Sequence, residues 1–250
     1  MTMPRSAAVL VIGNEILSGR TRDANLQTLA GALARRGIRL QEARVVEDRF
    51  EAIVHALNAL RATHDFVFTT GGIGPTHDDI TTACVAAAFG RSVVEDPEAV
   101  RRLVAYYPAG QMNDARRKMA QVVTGAELID NPVSAAPGFR VENVFVLPGV
   151  PRILEAMLPD VMARLPAGAP IGSTAVTAWV RESEIATALG EVQAAHPDVD
   201  IGSYPFARDG RLGTSLVVRG TEAAARDAAT RAIRAMLESG AVEHTVDDAP

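Results

Sequence analysis

Lysine is all but missing from this chain: among its 25 basic residues, Lys118 is the one lysine. A Walker A nucleotide loop places a lysine beside its glycines to reach the phosphates, so that mode of binding is excluded. Cysteine is as scarce. Cys84 stands alone, which rules out a disulfide framework and a cysteine-based zinc site. On a helix, with no base paired to it, it reads as a buried core thiol. Basic charge is in deficit too, with a formal net charge of −5 and a pI near 5.6, so no nucleic-acid partner is expected. The N-terminal apolar run Ala7–Ile12 is ended by Gly13-Asn14-Glu15, too soon for a signal peptide or a membrane span. No membrane association and a cytoplasmic location are therefore expected. No segment repeats at the period of roughly 20–50 residues that marks solenoids.

What is present is an ordinary globular composition of 250 residues, 48% hydrophobic and 22% charged. That length suits a domain of about 150 residues plus a smaller one. Ala7–Ile12 is continuously apolar, as a strand covered on both faces must be. A helix is predicted from Asp23 or Ala24 to about Arg36, with Leu26, Leu29, Ala30 and Leu33 on one face and Gly37 closing it. Arg39–Val46 reads as a second strand. Asp48 stands where an N-cap would for a helix through Ile53, Leu57 and Leu60. Phe66–Thr70 is a third strand, followed by a helix opening at Asp79. This alternation predicts an α/β fold, a three-layer sandwich around a parallel sheet with a mixed edge. Val93–Asp130 reads as a helical insertion, starting at Asp96-Pro97-Glu98 and continuing in a second helix over Asn113–Val122. Two short strands follow at 139–141 and 144–147, then a helix over Arg152–Leu165. Residues 166–170 form a linker. Beyond it, a strand over Ser173–Val180, a helix from Ser183, strands over Asp200–Tyr204 and Leu212–Arg219, and a helix over Thr221–Glu238 predict a small α+β domain. The expected domains are 1–166 and 171–246.

One stretch organises the rest: Phe66-Val67-Phe68-Thr69-Thr70-Gly71-Gly72-Ile73-Gly74-Pro75-Thr76-His77-Asp78-Asp79-Ile80-Thr81. Gly71, Gly72 and Gly74 let backbone approach a ligand closely, and a strand-to-helix turn offers N–H groups to a phosphate. Asp78 and Asp79 would repel a bare phosphate, so the pair points to a divalent cation between carboxylate and phosphate. In a parallel sheet the loops Gly13–Gly19, Glu47-Asp48 and Gly71–Asp79 meet beyond the carboxyl ends of the strands. Candidate catalytic residues are Asp79, Asp78 and Asp48, and candidate metal ligands are Asp78, Asp79 and Glu15. Candidate phosphate or substrate contacts are Gly71, Gly72, Gly74, Thr70, Thr76, Ser18, Asn25, Pro148 and Gly149. Each has a plainer reading as a cap, turn or surface residue. His77 reads as a surface histidine, and Arg116, Arg117 and Lys118 as a solvated helix face from which one residue could reach a diphosphate.

Several motifs together carry a resemblance. They are Gly13-Asn14-Glu15-Ile16-Leu17-x-Gly19, Asp23-x-Asn25, the glycine–aspartate stretch, Ala136-Pro137-Gly138-Phe139 and Leu147-Pro148-Gly149-Val150-Pro151. Over about residues 6–165 the chain resembles the MoaB/Mog molybdopterin-binding family and, within it, the N-terminal part of CinA proteins. The tail is similar to the small domain that follows in CinA; the chain ends before room for the amidohydrolase domain, so no deamidase activity is expected. The resemblance implies two chemistries. Mog-type proteins adenylylate molybdopterin, and Asp79 and Asp48 occupy the places of their two functional acids. CinA-type proteins and the N-terminal domain of eukaryotic FAD synthase hydrolyse the pyrophosphate of ADP-ribose or FAD. They use a divalent metal (Mg²⁺, Mn²⁺ or Co²⁺), with K⁺ a further candidate ion. Asp78 stands where the Mog motif has an arginine, which favours hydrolysis. Arg152-Ile153-Leu154 departs from most CinA-like sequences, which have a glutamate there, and is closer to FAD synthase. A nucleotide or pterin ligand is expected in either case, as it is for a non-catalytic binding protein. Family members form dimers or trimers, so a homo-oligomer is expected.

Overall fold

A computed structural model describes residues 5–247. The chain divides into two compact units between Gly168 and Ala169. The first begins with β1 (Arg5–Ile12), α1 (Asn14–Leu17), α2 (Asn25–Arg35), β2 (Ile38–Val46), α3 (Phe50–Thr63), β3 (Phe66–Thr70) and α4 (Thr81–Ala88). It continues with β4 (Val93–Glu95), α5 (Pro97–Tyr106), α6 (Asp114–Lys118), β5 (Gln121–Val123), β6 (Glu127–Ile129), β7 (Gly138–Val141), β8 (Val144–Leu147) and α7 (Pro151–Ala163). Six strands form one sheet in the order β2-β1-β3-β8-β7-β6. β2, β1, β3 and β8 run parallel, whereas β7 and β6 add an antiparallel edge.

The alternation of β1 explains its continuous apolar run. Ala8, Leu10 and Ile12 join Ile53, Leu57 and Leu60 of α3 and Cys84 and Val85 of α4 in one core layer. Ala7, Val9 and Val11 point the other way, to Leu29 and Leu33 of α2 and Leu154, Met157 and Val161 of α7. Successive strand side chains face opposite sides, so a strand buried on both faces reads as an apolar run with no polar alternation. Phe68 and Phe145 stack at 4.9 Å on adjacent strands. The three-layer α/β expectation is met, and Gly37 closes α2 at φ +74°.

The insertion is not purely helical. β4 and β5 pair as an antiparallel ribbon, and β6 joins the main sheet. α6 stops at Lys118, because Val122 and Val123 are buried in the core under α4 and need the ribbon's extended backbone. Asp96 does cap α5, accepting from Ala99 N–H at 2.9 Å, and Asn113 caps α6, accepting from Arg116 N–H at 2.9 Å. Two other expected caps fail. α3 starts after Arg49 with no side-chain cap, and α8 (Glu182–Ala195) likewise starts after Arg181 without one, so Ser183 lies inside it.

In the second unit β9 (Gly172–Ala178), α8, β10 (Asp200–Arg208), β11 (Arg211–Gly220), α9 (Ala223–Ser239) and β12 (His244–Asp247) follow in order. The antiparallel sheet runs β10-β11-β9-β12. Ile185 and Leu189 of α8 and Ile233 and Leu237 of α9 cover one sheet face at Val176, Leu216 and Val218. β12 lies beyond the sequence expectation: four residues with two polar ends show no apolar alternation of their own.

Candidate functional site

The carboxyl ends of β1, β2, β3 and β8 lie side by side in the sheet, so the loops that follow them meet. A cleft of about 550 Å³ opens there. Gly13 and Glu15 enter it from the first loop, Asp48 from the second, Gly71–Pro75, Asp78 and Asp79 from the third, and Pro148–Pro151 from the fourth. The glycines are needed for backbone contacts. Gly71 sits at φ +104°, where an added Cβ would stand 2.1 Å from the Ile12 carbonyl oxygen. At Gly72 (φ +69°) it would stand 2.2 Å from Thr81 Oγ1. That threonine locks the turn: its N–H donates to the Gly72 carbonyl and its hydroxyl to the Gly71 carbonyl, each at 2.9 Å. Gly71 N–H is itself taken by the Leu147 carbonyl at 3.1 Å. Among the described residues, no protein group accepts from the N–H groups of Gly72, Ile73 or Gly74. Three successive backbone donors without partners at a cleft wall suit an anion.

The structure gathers Asp79, Asp78, Asp48, Glu15, Gly71, Gly72, Gly74, Pro148 and Gly149 at this cleft. Four other candidates lie outside its lining. Thr70 is buried in β3, since inward alternation at a doubly covered strand hides it. Ser18 is exposed and donates to the Glu15 carbonyl at the end of α1. Asn25 is buried and props the fourth loop from below, donating from Nδ2 to the Gly149 carbonyl at 2.8 Å. Thr76 holds Asp79, its N–H and hydroxyl both donating to Oδ2. Asp48 lines the cleft, but its Oδ2 accepts from Asn14 N–H at 2.8 Å, so it caps the first loop and not the helix that follows it. Nor do Asp78 and Asp79 open a helix: α4 begins at Thr81 without a side-chain cap. His77 is exposed. Arg116 lies over the Tyr107 ring and Arg117 pairs with Glu95, whereas Lys118 reaches the Thr76 carbonyl.

Sequence reasoning missed Asn131 and Ser134 at the cleft rim. Asn131 Nδ2 donates to Ser134 Oγ and to the Ala136 carbonyl, both at 2.7 Å. The Asn-Pro dipeptide there is a turn signal, but nothing local shows that the turn folds over this cleft.

The lining holds four carboxylates (Glu15, Asp48, Asp78, Asp79) and no lysine, arginine or histidine. Asp78 is held below the ordinary carboxylate range, first by the neighbouring Thr76 side chain, then by its own backbone N–H and by the charges of His77 and Lys118. Among the described residues, no three His, Cys, Asp or Glu side chains converge to hold a metal ion unaided. An ion of the Mg²⁺ kind keeps water and takes further ligands from substrate phosphates, so the two carboxylates of Asp78 and Asp79 could hold one without a third protein ligand. Cys84 is buried, and burial pushes its thiol up to about 11, so it is not a nucleophile. Among the described residues, no helix is long and apolar enough to cross a membrane.

Comparison with known proteins bears on the family and the fold. The family described as "Probable molybdopterin binding domain" matches residues 8–167, and "FAD synthase, middle domain" matches residues 170–246. A protein of Archaeoglobus fulgidus is 36% identical over 197 residues, 79% of this chain and 84% of its own. A CinA-like protein of Salinibacter ruber is 34% identical over 242 residues, 91% of this chain. Only 59% of that relative is covered, so the chain spans little more than half its length. The crystal structure of a CinA protein "with unknown function" from Thermoplasma acidophilum is 33% identical in sequence. It matches 63% of this chain and 96% of its own, with a TM-score of 0.59. With the glycine–aspartate turn at the end of β3 and the matched first unit, this chain belongs to the molybdopterin-binding domain family, as a CinA-like member.

Proposed function

We propose that this chain hydrolyses the phosphoanhydride bond of a dinucleotide such as ADP-ribose or FAD, releasing AMP, with a divalent cation held at Asp78 and Asp79. The observation that carries the reading is the cleft's charge. Four carboxylates line it with no cationic side chain, while Gly72, Ile73 and Gly74, whose N–H groups have no protein partners among the described residues, line it too. A diphosphate would meet net repulsion there unless it arrived with a cation. A divalent ion supplies Lewis-acid stabilisation of charge on the phosphates. The protein's own part is to orient. The three N–H groups bind non-bridging oxygens, fixed in place by the Thr81 lock before reaction begins. Asp78, kept ionised, and Asp79 hold the cation's edge of the cleft. Asp78 in the place of the Mog-type arginine favours hydrolysis over adenylyl transfer, because a carboxylate draws in the cation that an arginine would replace.

The test is AMP release from ADP-ribose and from FAD with Mg²⁺, Mn²⁺ or Co²⁺, alongside ATP with molybdopterin. Asp79→Asn keeps an oxygen to accept from Thr76 but loses the charge. It should lower turnover by about 100-fold or more, the scale of removing one electrostatic contact at a reacting centre, with the unfolding midpoint little changed. Full turnover in that variant, or AMP transfer to molybdopterin without hydrolysis, would overturn the assignment.

A further inference from the structure

Thr76 makes a bond with every polar group it has. Its N–H donates to Asp79 Oδ2 at 2.8 Å, and its hydroxyl donates to the same oxygen at 2.5 Å. Its carbonyl accepts from Asp79 N–H at 3.3 Å and from Lys118 Nζ. Asp79 Oδ2 thus has two donors from one residue, whereas Oδ1 has no hydrogen-bond partner among the described residues. Both oxygens face Gly74, where an added Cβ would stand 2.7 Å from Oδ2 and 3.0 Å from Oδ1. Charge-assisted hydrogen bonds on one oxygen fix a carboxylate that would otherwise rotate freely on a half-exposed turn. They also leave a single oxygen for any cation, so Asp79 can coordinate only through Oδ1.

Lys118 extends the arrangement to the insertion. It ends α6, beside Arg117, whose guanidinium makes two bonds to the Glu95 carboxylate on β4 at 3.1 and 2.7 Å. Asp96 N–H donates to the Ala120 carbonyl at 3.0 Å, which fixes the same segment from its other side. The chain's one lysine therefore comes from a braced segment, and it binds a backbone carbonyl of the turn while staying out of the cleft lining. A solvated lysine gains little by ordering its long side chain. Here the bond closes the Thr76–Asp79 turn from outside, and the ammonium charge lies near Asp78.

We propose that Thr76 and Lys118 are positioning residues that hold Asp79 with Oδ1 alone presented to the cation, so that the insertion carrying α6 sets the cleft's affinity for metal. The proposal rests on the hydrolase reading for the cation's presence. Its consequences fall on binding as well as rate, because groups that orient a metal ligand change metal affinity by about 10- to 100-fold when removed.

The experiment measures Mn²⁺ binding to the purified full chain by electron paramagnetic resonance. It is done with saturating α,β-methylene-ADP, whose bridging carbon resists cleavage, beside AMP release from ADP-ribose and thermal unfolding. Thr76→Val removes the hydroxyl at constant shape and should weaken Mn²⁺ binding by about tenfold, while Thr76→Ser should stay within about threefold. Lys118→Met should weaken it by about three- to tenfold and Lys118→Arg should recover most of the loss, with unfolding midpoints close to the parent's throughout. If Thr76→Val does not fold, the Lys118 pair decides alone. Parental Mn²⁺ affinity in Thr76→Val and Lys118→Met, with the parent still releasing AMP, overturns the proposal and leaves the hydrolase reading standing. A parent that binds no Mn²⁺ and releases no AMP overturns both.

Discussion

Glycine does opposite things in the two units. In the first, Gly71 clears a path for the Ile12 carbonyl, and an added Cβ at Gly149 would stand 3.3 Å from the Gly71 Cα. Backbone meets backbone, and neither side can give way. In the second unit Gly202 and Gly213 lie within β10 and β11, and the nearest atoms an added Cβ would meet belong to aromatic side chains, Tyr204 Oη at 2.8 Å and Phe206 Cζ at 2.4 Å, with the Ala178 carbonyl oxygen next at 2.9 Å from the second. The aromatic side chains reach over the glycines of their own sheet, a device that restores packing where a strand lacks a side chain. Arginines finish the cover. Arg211 lies 4.4 Å over the Trp179 ring, and Arg219 donates to Tyr204 Oη at 2.9 Å. The second unit thus uses its glycines, rings and cations on itself. The first leaves the N–H groups of Gly72, Ile73 and Gly74 and the Oδ1 of Asp79 without partners among the described residues, and the proposed chemistry sits there.

Three substitutions sharpen this contrast. Gly71→Ala forces a Cβ onto the Ile12 carbonyl at a φ that alanine avoids. Unfolding free energy should fall by about 3 kcal/mol or more, combining backbone strain with overpacking, and nucleotide turnover should be lost. A chemical-denaturation curve matching the parent's would show that the loop after β3 can relax as the second unit's rings can. Asp65→Asn is expected to matter less. Asp65 accepts from Ser6 N–H at 2.8 Å and from Ser6 Oγ, tying the starts of β1 and β3. Those bonds, led by the backbone one, with Arg5 beside them, lower its pKa from the ordinary 3.8 despite some burial. A depressed carboxylate stabilises the fold fully above its unfolded pKa and loses that contribution as pH falls through its lower folded value. The variant should therefore be about 1 kcal/mol less stable at pH 7. The gap should close as pH falls below about 4, read from unfolding midpoints across an acid series. A gap constant to low pH would mean that shape and not charge holds the strand starts together. Gly202→Ala should have the smallest effect, within about 0.5 kcal/mol, because exposed Tyr204 can swing aside. A larger loss would show that the ring's seat over the glycine is itself a main support of β10.

Much of this was legible in the amino-acid order. Apolar runs with no polar interruption announce doubly covered strands, and the parallel sheet they imply brings three loops to one edge. That placed Glu15, Asp48, Asp78 and Asp79 near one another with no structure in hand. The misses have a common cause. Asp48 reads locally as a helix cap and Asp78-Asp79 as a helix opening, because spacing along the chain favours the nearest helix. The Asn14 N–H across the sheet edge and the Thr76 turn compete for those carboxylates and are invisible to local pattern. Likewise Val122 ends a helical stretch by sequence, and with Val123 becomes strand because the space under α4 needs them there.

The sequence by itself therefore determined the layers, the edge at which the loops gather and the acidic character of that edge. All three follow from residue type and periodicity alone. Tertiary structure decided which oxygens and N–H groups remain open. Thr70 and Asn25 are buried, Ser18 turns outward, Asp79 keeps Oδ1, and Lys118, the lone lysine of the chain, reaches the turn from 42 residues away. Such choices are settled by contacts between segments distant in sequence, whose competition for the same polar groups has no signature in the order of the residues.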